Sequence, residues 1–299
     1  MSIIEESAAD AYPAADRPAA VQDGDHAAGT TAQASVADCD DVAFQSTDPV
    51  TPLTIPARFC MPASAAAEKH PAVVIVHGSS GVDTRGPYYA ALLNDAGIAT
   101  LEIDMWSPRG LGGGTDARPR SVVETLPDAF GALRMLAADA RIDARRIGIM
   151  GFSWGGVVSM LTATRPYVDR YAPAGLRFAA HAPLYPICWV YNRVPDYEFS
   201  SLTGAPVFIQ AGGSDAYDAP DSCLRMVAAL PAAERELVSV VVYPGATHAW
   251  DRLEPAITIS DPFSHQGAGG SVDFVPDPAL AEQSRAATVA HFRRAFGLL

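Results

Sequence analysis

Apolar runs typical of strands alternate with helical patterns from residue 72 to the end of the chain. The run 72–76, Ala-Val-Val-Ile-Val, has no polar residue, which is typical of a strand buried on both faces of a parallel sheet. Further strand-like runs lie at 98–103, 146–150, 178–182, 207–211 and 237–243, and helical patterns at 88–96, 121–138, 154–164 and 278–296. This alternation predicts an α/β fold, with a mostly parallel central sheet and helices on both faces.

The region before residue 72 divides into two parts. Residues 1–40 are rich in Ala, Asp, Gly, Ser and Thr, so they cannot bury enough apolar surface to offset their ordering entropy. They are therefore predicted to form a flexible N-terminal tail. Two short strands are predicted at 41–46 and 53–60, with Pro and Asp residues as turn material between them. The folded domain is thus expected to span residues 41–299.

Charge and hydropathy exclude several classes of partner. The net charge of −13 would repel a phosphate backbone, which argues against a nucleic-acid partner. No run reaches the roughly 18 apolar residues of a membrane span, so no membrane association is expected. The first ten residues are acidic where a secretion signal is basic, and no apolar run follows them. The sequence therefore predicts a cytoplasmic protein and leaves its oligomeric state open.

The four cysteines, Cys39, Cys60, Cys188 and Cys223, form no C-x-x-C motif. Nothing in the sequence therefore indicates a metal or redox centre, and no organic cofactor is indicated either. In a cytoplasmic chain all four are expected to be reduced thiols. Cys188 and Cys223 both follow predicted strands at one end of the sheet, so they are expected to pair only if the protein meets an oxidising compartment.

The motif Gly-Phe-Ser-Trp-Gly-Gly at 151–156 stands between a predicted strand and a predicted helix. In such a G-x-S-x-G turn the glycines permit a tight, strained bend that lifts the serine hydroxyl above the sheet. The helix that follows supplies free amides and positive potential at its N-terminus. Ser153 is therefore the candidate nucleophile. The alternative is a glycine-rich turn in which Ser153 only caps the helix.

A serine hydroxyl needs a base, which in this topology follows the serine after an acid. His248 lies in a turn beyond the predicted strand 237–243, where it can reach Ser153. The acid should follow the strand 207–211, where Asp215 and Asp218 both lie. Asp215 is preferred because it comes four residues after the strand, and Asp218 stays an alternative. Either carboxylate would fix the imidazole tautomer.

Two backbone amides should face the oxyanion that develops during attack on a carbonyl. One is expected to be the amide of Trp154, directly after the nucleophile. The other should come from the glycine-rich loop 77–81, where the Ser79 amide is preferred and the Ser80 amide is the second choice. His77 is expected to brace this loop.

These motifs, at 73–78, 151–156, 212–215 and 243–250, together resemble the dienelactone hydrolase family of the α/β-hydrolase superfamily. The similarity spans about residue 42 to the C-terminus. The namesake enzymes use a cysteine nucleophile and carry a glutamate in the loop that is 77–81 here. This chain has Ser153 and no acid in that loop, so their substrate is not carried over. The resemblance implies an α/β-hydrolase fold and hydrolysis of an ester or lactone through an acyl-serine.

The candidate substrate-binding residues are Ser80, Trp106, Arg109 and Trp250. Trp106 and Arg109 lie in a loop beyond the strand 98–103, a position that can line a pocket. Arg109 would bind a substrate carboxylate or, equally, brace its own loop. The expected partner is a small-molecule ester or lactone. Two other functions stay open, namely hydrolysis of an amide or peptide and ligand binding without catalysis on the same scaffold.

Overall fold

The computed structural model describes residues 37–63 and 69–298. Its ten strands are β1 Asp38–Gln45, β2 Thr54–Met61, β3 His70–Val76, β4 Ala99–Ile103, β5 Ile142–Phe152, β6 His181–Leu184, β7 Val207–Gly212, β8 Val238–Tyr243, β9 Ile257–Asp261 and β10 Gly270–Phe274. The α-helices are α1 Arg85–Asp95, α2 Leu126–Ala138, α3 Trp154–Leu161, α4 Arg165–Tyr171, α5 Ser222–Ala228, α6 Ala232–Arg235 and the C-terminal helix Pro278–Ala295. Short 3₁₀ turns lie at Ser107–Arg109, Val122–Thr125 and Cys188–Val190, and a four-residue turn with left-handed residues lies at Ser264–Gly267.

Eight strands form one sheet in the order β1-β2-β4-β3-β5-β6-β7-β8. All neighbours from β4 to β8 pair in parallel, and only β1 with β2 and β2 with β4 are antiparallel. The predicted mostly parallel α/β fold is therefore confirmed. The strands β9 and β10 form a separate antiparallel hairpin that is absent from the predicted elements.

The sheet is buried on both faces, as the apolar run in β3 indicates. Ala72, Val74 and Val76 join the larger core, which also holds α2 and α3. Val73 and Ile75 point the other way into a smaller core, which holds α1 and the C-terminal helix. Alternate side chains of β3 therefore enter two different cores, so both faces of the strand require apolar residues.

Several helices and strands begin or end at residues other than those predicted from the sequence. β1 begins at Asp38, so residues 38–40, assigned to the tail, belong to the sheet, while residues 1–36 lie outside the described residues. The predicted helix 121–138 begins as a 3₁₀ turn, and the α-helix starts only at Leu126, because Pro127 suits the first turn of a helix. The strand predicted at 178–182 lies at His181–Leu184, and the helix predicted to Thr164 ends at Leu161.

Candidate active site

Ser153 lies in a sharp turn between β5 and α3, with φ 51° and ψ −106°. Two flanking positions must be glycine, because neighbouring backbone atoms leave no room for a Cβ. A Cβ on Gly151 would lie 2.2 Å from the Gly155 carbonyl oxygen, and one on Gly155 would lie 2.1 Å from that of Val76. The turn therefore holds the serine backbone in a strained conformation at the carboxyl end of the sheet.

A chain of hydrogen bonds joins Ser153, His248 and Asp215. His248 Nε2 lies 2.8 Å from Ser153 Oγ, and His248 Nδ1 lies 2.7 Å from Asp215 Oδ2. Asp215 Oδ1 accepts a further hydrogen bond from the Tyr217 amide at 2.9 Å, which fixes the carboxylate. With Nδ1–H donating to Asp215, Nε2 is free to accept the serine proton.

The imidazole of His248 is almost fully buried and lies among three aromatic rings. The ring centroids of Tyr217, Tyr185 and Phe274 are 4.4, 4.8 and 5.3 Å from that of His248. These rings limit the orientations that the imidazole can adopt. No sequence motif marks these three aromatic residues, since Tyr185 and Tyr217 lie in irregular loops and Phe274 lies in the unpredicted hairpin.

Tyr185 is itself held by a buried polar network. Its hydroxyl accepts a hydrogen bond from Arg85 at 3.0 Å and donates to Asp251 at 2.7 Å, and Asp251 also accepts from Tyr89. Asp83 pairs with the Arg85 guanidinium. Burial raises the pKa of Asp251, and the two tyrosine hydroxyls and Arg85 partly offset that effect. The network fixes the ring that packs against the imidazole.

Asp218, the alternative acid, does not contact His248. Its carboxylate accepts hydrogen bonds from the backbone amides of Cys188 at 2.5 Å and Trp189 at 2.8 Å. Burial, and then repulsion from Asp215, raises the pKa of Asp218 to about 6. The structure thus brings Asp215, and not Asp218, to the imidazole.

The amides of Trp154 and Ser79 donate no hydrogen bond within residues 37–63 and 69–298. The peptide unit that carries the Ser79 amide is nevertheless held in place, because its Gly78 carbonyl oxygen accepts from the Gly81 amide at 3.1 Å and from His77 Nδ1 at 2.8 Å. The next peptide unit is held as well, because the Ser79 carbonyl oxygen accepts from Trp106 Nε1 at 3.0 Å and from the Gly114 amide at 2.7 Å. His77 also braces the loop, because its Nδ1 donates to the Gly78 carbonyl and its Nε2 accepts from the Met105 amide. Burial lowers the pKa of His77 to about 4, so the ring is neutral at pH 7.

A cavity of about 350 Å³ opens beside Ser153. Trp154 and Val157 of α3 line it, and so does the segment 187–197 beyond β6. Ser79, Tyr217 and Phe263 are also among its lining residues. Most of the lining is apolar, as in small-molecule sites.

The four candidate substrate-binding residues lie elsewhere. Arg109 donates to both oxygens of the buried Asp128 and to the Met105 carbonyl, so it braces its loop and does not face the cavity. Trp106 packs against Trp154, and Trp250 is fully buried and donates to Ser284. Ser80 lines a second cavity of about 300 Å³, which Ser79 also lines.

All four cysteines form disulfides, so the expectation of reduced thiols was wrong. Cys39–Cys60 joins β1 to β2, and Cys188–Cys223 joins the segment after β6 to α5. The Cα atoms of Cys188 and Cys223 are 5.0 Å apart, within the range that a disulfide needs. Across the described part of the chain, no helix is both long and apolar enough to cross a bilayer.

Comparison with known proteins gives one family. The family model described as the dienelactone hydrolase family matches residues 55–295. An uncharacterized protein of Mycobacterium tuberculosis is 30% identical over 191 residues, which are 60% of this chain and 63% of that protein. A Bradyrhizobium protein named as a probable 2-oxo-3-(5-oxofuran-2-ylidene)propanoate lactonase is 33% identical over 105 residues, which are 33% of this chain and 42% of that protein. The chain thus spans less than two thirds of these relatives.

Solved structures show the same fold at low identity. Esterase 2 of Thermogutta terrifontis, phosphorylated by paraoxon, superimposes with a TM-score of 0.59 at 18% identity, over 86% of this chain and 95% of that chain. A dienelactone hydrolase-like promiscuous phosphotriesterase from metagenomic libraries gives 0.54 at 18% identity, over 86% and 98%. These likenesses establish an α/β-hydrolase fold.

Proposed function

This chain belongs to the dienelactone hydrolase family, and on that premise we propose that it is a serine hydrolase that cleaves a carboxylic ester or lactone through an acyl-serine intermediate. The family match also confirms the resemblance drawn from the motifs. The observation that carries the proposal is the continuous hydrogen-bond chain from Asp215 through His248 to Ser153. Three side chains from three separate loops would not align in this order for packing alone.

The proposed reaction begins when His248 Nε2 takes the proton of Ser153 and Oγ attacks the carbonyl carbon. Asp215 stabilises the imidazolium that forms, and the amides of Trp154 and Ser79 donate to the oxyanion. The carbon–oxygen bond to the leaving alcohol then breaks, and His248 gives the alcohol its proton. Water, deprotonated by the same imidazole, then attacks the acyl carbon. The bond from that carbon to Ser153 Oγ breaks, His248 returns the proton to Oγ, and the acid is released.

The proposal is tested with Ser153→Ala and a matched control, Ser239→Ala, on an exposed strand position. Loss of the nucleophile should lower kcat for an activated ester by roughly 10⁴ to 10⁶ and abolish labelling by a fluorophosphonate, while the control keeps both. Near-normal ester hydrolysis by Ser153→Ala would overturn the serine mechanism. A wild-type chain that neither reacts with the probe nor hydrolyses esters would instead be a binding protein.

A matched ester and anilide with the same acyl group separate ester from amide hydrolysis. We expect turnover of the ester only, because nothing in the site singles out an amine leaving group.

The compartment is a further part of the proposal. Two disulfides favour an oxidising compartment over the cytoplasm that the sequence predicts.

A further inference from the structure

The cavity beside Ser153 is suited to an apolar group. Its charged lining residues are Arg118, Arg120 and Asp261. Arg118 is paired with the buried Asp261 at 3.0 Å, and Arg120 is exposed. Most of the remaining lining is hydrocarbon and aromatic surface, where burial of an apolar group is favourable.

One wall of this cavity is the segment 187–197. It contributes six lining residues, Ile187, Trp189, Val190, Val194, Pro195 and Tyr197. Apart from the turn Cys188–Val190 it contains no helix or strand. Its position therefore depends on side-chain anchors and not on a regular backbone ladder.

Two anchors hold the start of this segment. The half-buried carboxylate of Asp218 accepts hydrogen bonds from both the Cys188 and the Trp189 amide, and the disulfide ties Cys188 to Cys223 in α5. Asp218 lies in the same loop as Asp215, three residues further along the chain. The loop that orients the imidazole thus also fixes the wall of the cavity.

We propose that this cavity receives a bulky apolar group of the ester, and that Asp218 and the Cys188–Cys223 disulfide are positioning residues that hold its wall. The inference rests on the proposed function and adds to it the class of substrate, an ester with an aryl or branched alkyl group. The wall 187–197 then determines selectivity for the size of the substrate's apolar group, and Ser153, His248 and Asp215 carry out the chemical step.

The substrate class is tested with methyl acetate, methyl 3-phenylpropanoate and 2-phenylethyl acetate, followed by acid release in a pH-stat. One of the two phenyl esters should exceed methyl acetate in kcat/KM by about 100-fold, because the cavity buries its ring. Val194→Trp, which fills the cavity from a half-buried position, should lower that preference at least tenfold. Val50→Trp, at a position that is 83% exposed and outside the cavity, should leave it unchanged.

The wall is tested with Asp218→Asn and, separately, with Cys188→Ser/Cys223→Ser. Each should raise KM for the preferred phenyl ester by about tenfold relative to methyl acetate. The matched controls are Asp221→Asn, whose side chain is half exposed, and Cys39→Ser/Cys60→Ser, which removes the other disulfide. A purely structural role would lower Tm and affect all three esters alike.

The outcomes separate the two proposals. Equal kcat/KM for all three esters, or an unchanged preference in Val194→Trp, overturns the substrate class even when Ser153→Ala is inactive. An unchanged KM ratio in folded Asp218→Asn and in folded Cys188→Ser/Cys223→Ser overturns the role of the anchors. If wild-type protein hydrolyses none of the esters, the proposed function fails, and this inference fails with it.

Discussion

Asp215 Oδ2 lies 2.7 Å from His248 Nδ1, whereas the carboxylate of Asp218, three residues later, faces the amides of Cys188 and Trp189. The two aspartates therefore have different tasks within one loop. Asp215 fixes the tautomer of the His248 imidazole, and Asp218 fixes the backbone at Cys188 and Trp189. Because the groups are so close in sequence, their separate effects on turnover give a direct test of the assignment.

Asp215→Asn and Asp218→Asn should differ sharply on one small activated ester. The Asp215 variant keeps the geometry but favours the wrong imidazole tautomer, so kcat should fall by roughly 10⁴. The Asp218 variant should lose about tenfold or less, because its carboxylate does not touch the imidazole. Steady-state kinetics on both proteins measure this. If Asp218→Asn is the crippled variant, the acid is misassigned.

The candidate catalytic residues could be predicted because each follows a strand in a recognisable motif. The order of serine, acid and histidine along a parallel sheet restricted the choice to a few positions. The substrate-binding residues could not be predicted in this way. Arg109 lies in a loop beyond a strand, as a pocket residue would, but the buried Asp128 binds its guanidinium, and no local pattern signals that partner. Long-range contacts of this kind are decided by tertiary packing.

Gly155→Ala should damage both stability and turnover. An added Cβ would meet the Val76 carbonyl oxygen at 2.1 Å, so β3 and α3 must separate. Overpacking against backbone costs about 3 kcal/mol or more, and it also displaces Ser153. Urea unfolding and ester turnover measure the two effects. Gly112→Ala is the matched control, because nothing lies within 4 Å of its added Cβ. Equal stability of the two variants would contradict the tight contact.

Glu102→Gln should change how stability depends on pH. Burial, and then repulsion from Asp83, raises the pKa of Glu102 on β4 to about 7. An acid with a raised folded pKa releases its proton more easily when unfolded, so it costs stability as pH rises from about 4.5 to 7. Between pH 5 and pH 8 the variant should therefore gain about 2 kcal/mol relative to wild type.

Urea unfolding at several pH values measures the difference between the two proteins. The comparison with a variant is needed because His77, His181 and His291 titrate in the opposite sense. Burial lowers their pKa values to about 4, 3 and 4, so each costs stability as pH falls below about 6.5. Glu236→Gln, at an exposed position, serves as control. Parallel pH profiles for wild type and Glu102→Gln would show that the buried carboxyl has no such effect.

The sheet was predictable because buried parallel strands are continuous apolar runs, as in β3. The β9–β10 hairpin gave no such signal. Its strands are mostly exposed, and its connection uses left-handed residues at His265 and Gln266. The hairpin nevertheless supplies Phe274 to the surroundings of the imidazole. A short polar hairpin is held by a few tertiary contacts, and those contacts cannot be inferred from its own sequence.

Asp261 is one of the contacts that tie this hairpin to the site. Its buried carboxylate accepts from Arg118 at 3.0 and 3.1 Å, from the Tyr217 hydroxyl at 2.8 Å and from the Phe263 amide at 2.9 Å. It thus joins the hairpin to the loop before α2 and to the loop that carries Asp215. Tyr217 and Phe274 both pack against His248, so loosening Asp261 should release two of its three aromatic neighbours.

Asp261→Asn should therefore lower stability and turnover together. Arg118, whose side chain is only 10% exposed, would lose its carboxylate partner, which should cost on the order of 3 kcal/mol at pH 7. We expect kcat to fall by about tenfold, because the imidazole is less constrained. Asp273→Asn, on the exposed face of the same hairpin, should change neither quantity. Thermal melts and kinetics on both variants measure this.

The pH dependence distinguishes loss of the ion pair from loss of packing. Burial alone would raise the pKa of Asp261, but the hydrogen bonds from Arg118 and the Phe263 amide outweigh it and hold the pKa below its usual range. A carboxyl with a lowered folded pKa contributes stability above its unfolded pKa of about 3.9 and loses that contribution as pH falls further. The stability gap between wild type and Asp261→Asn should therefore be full at pH 7 and shrink below about pH 4. A gap that stays constant down to pH 3 would show that the charge of Asp261 does not hold the hairpin.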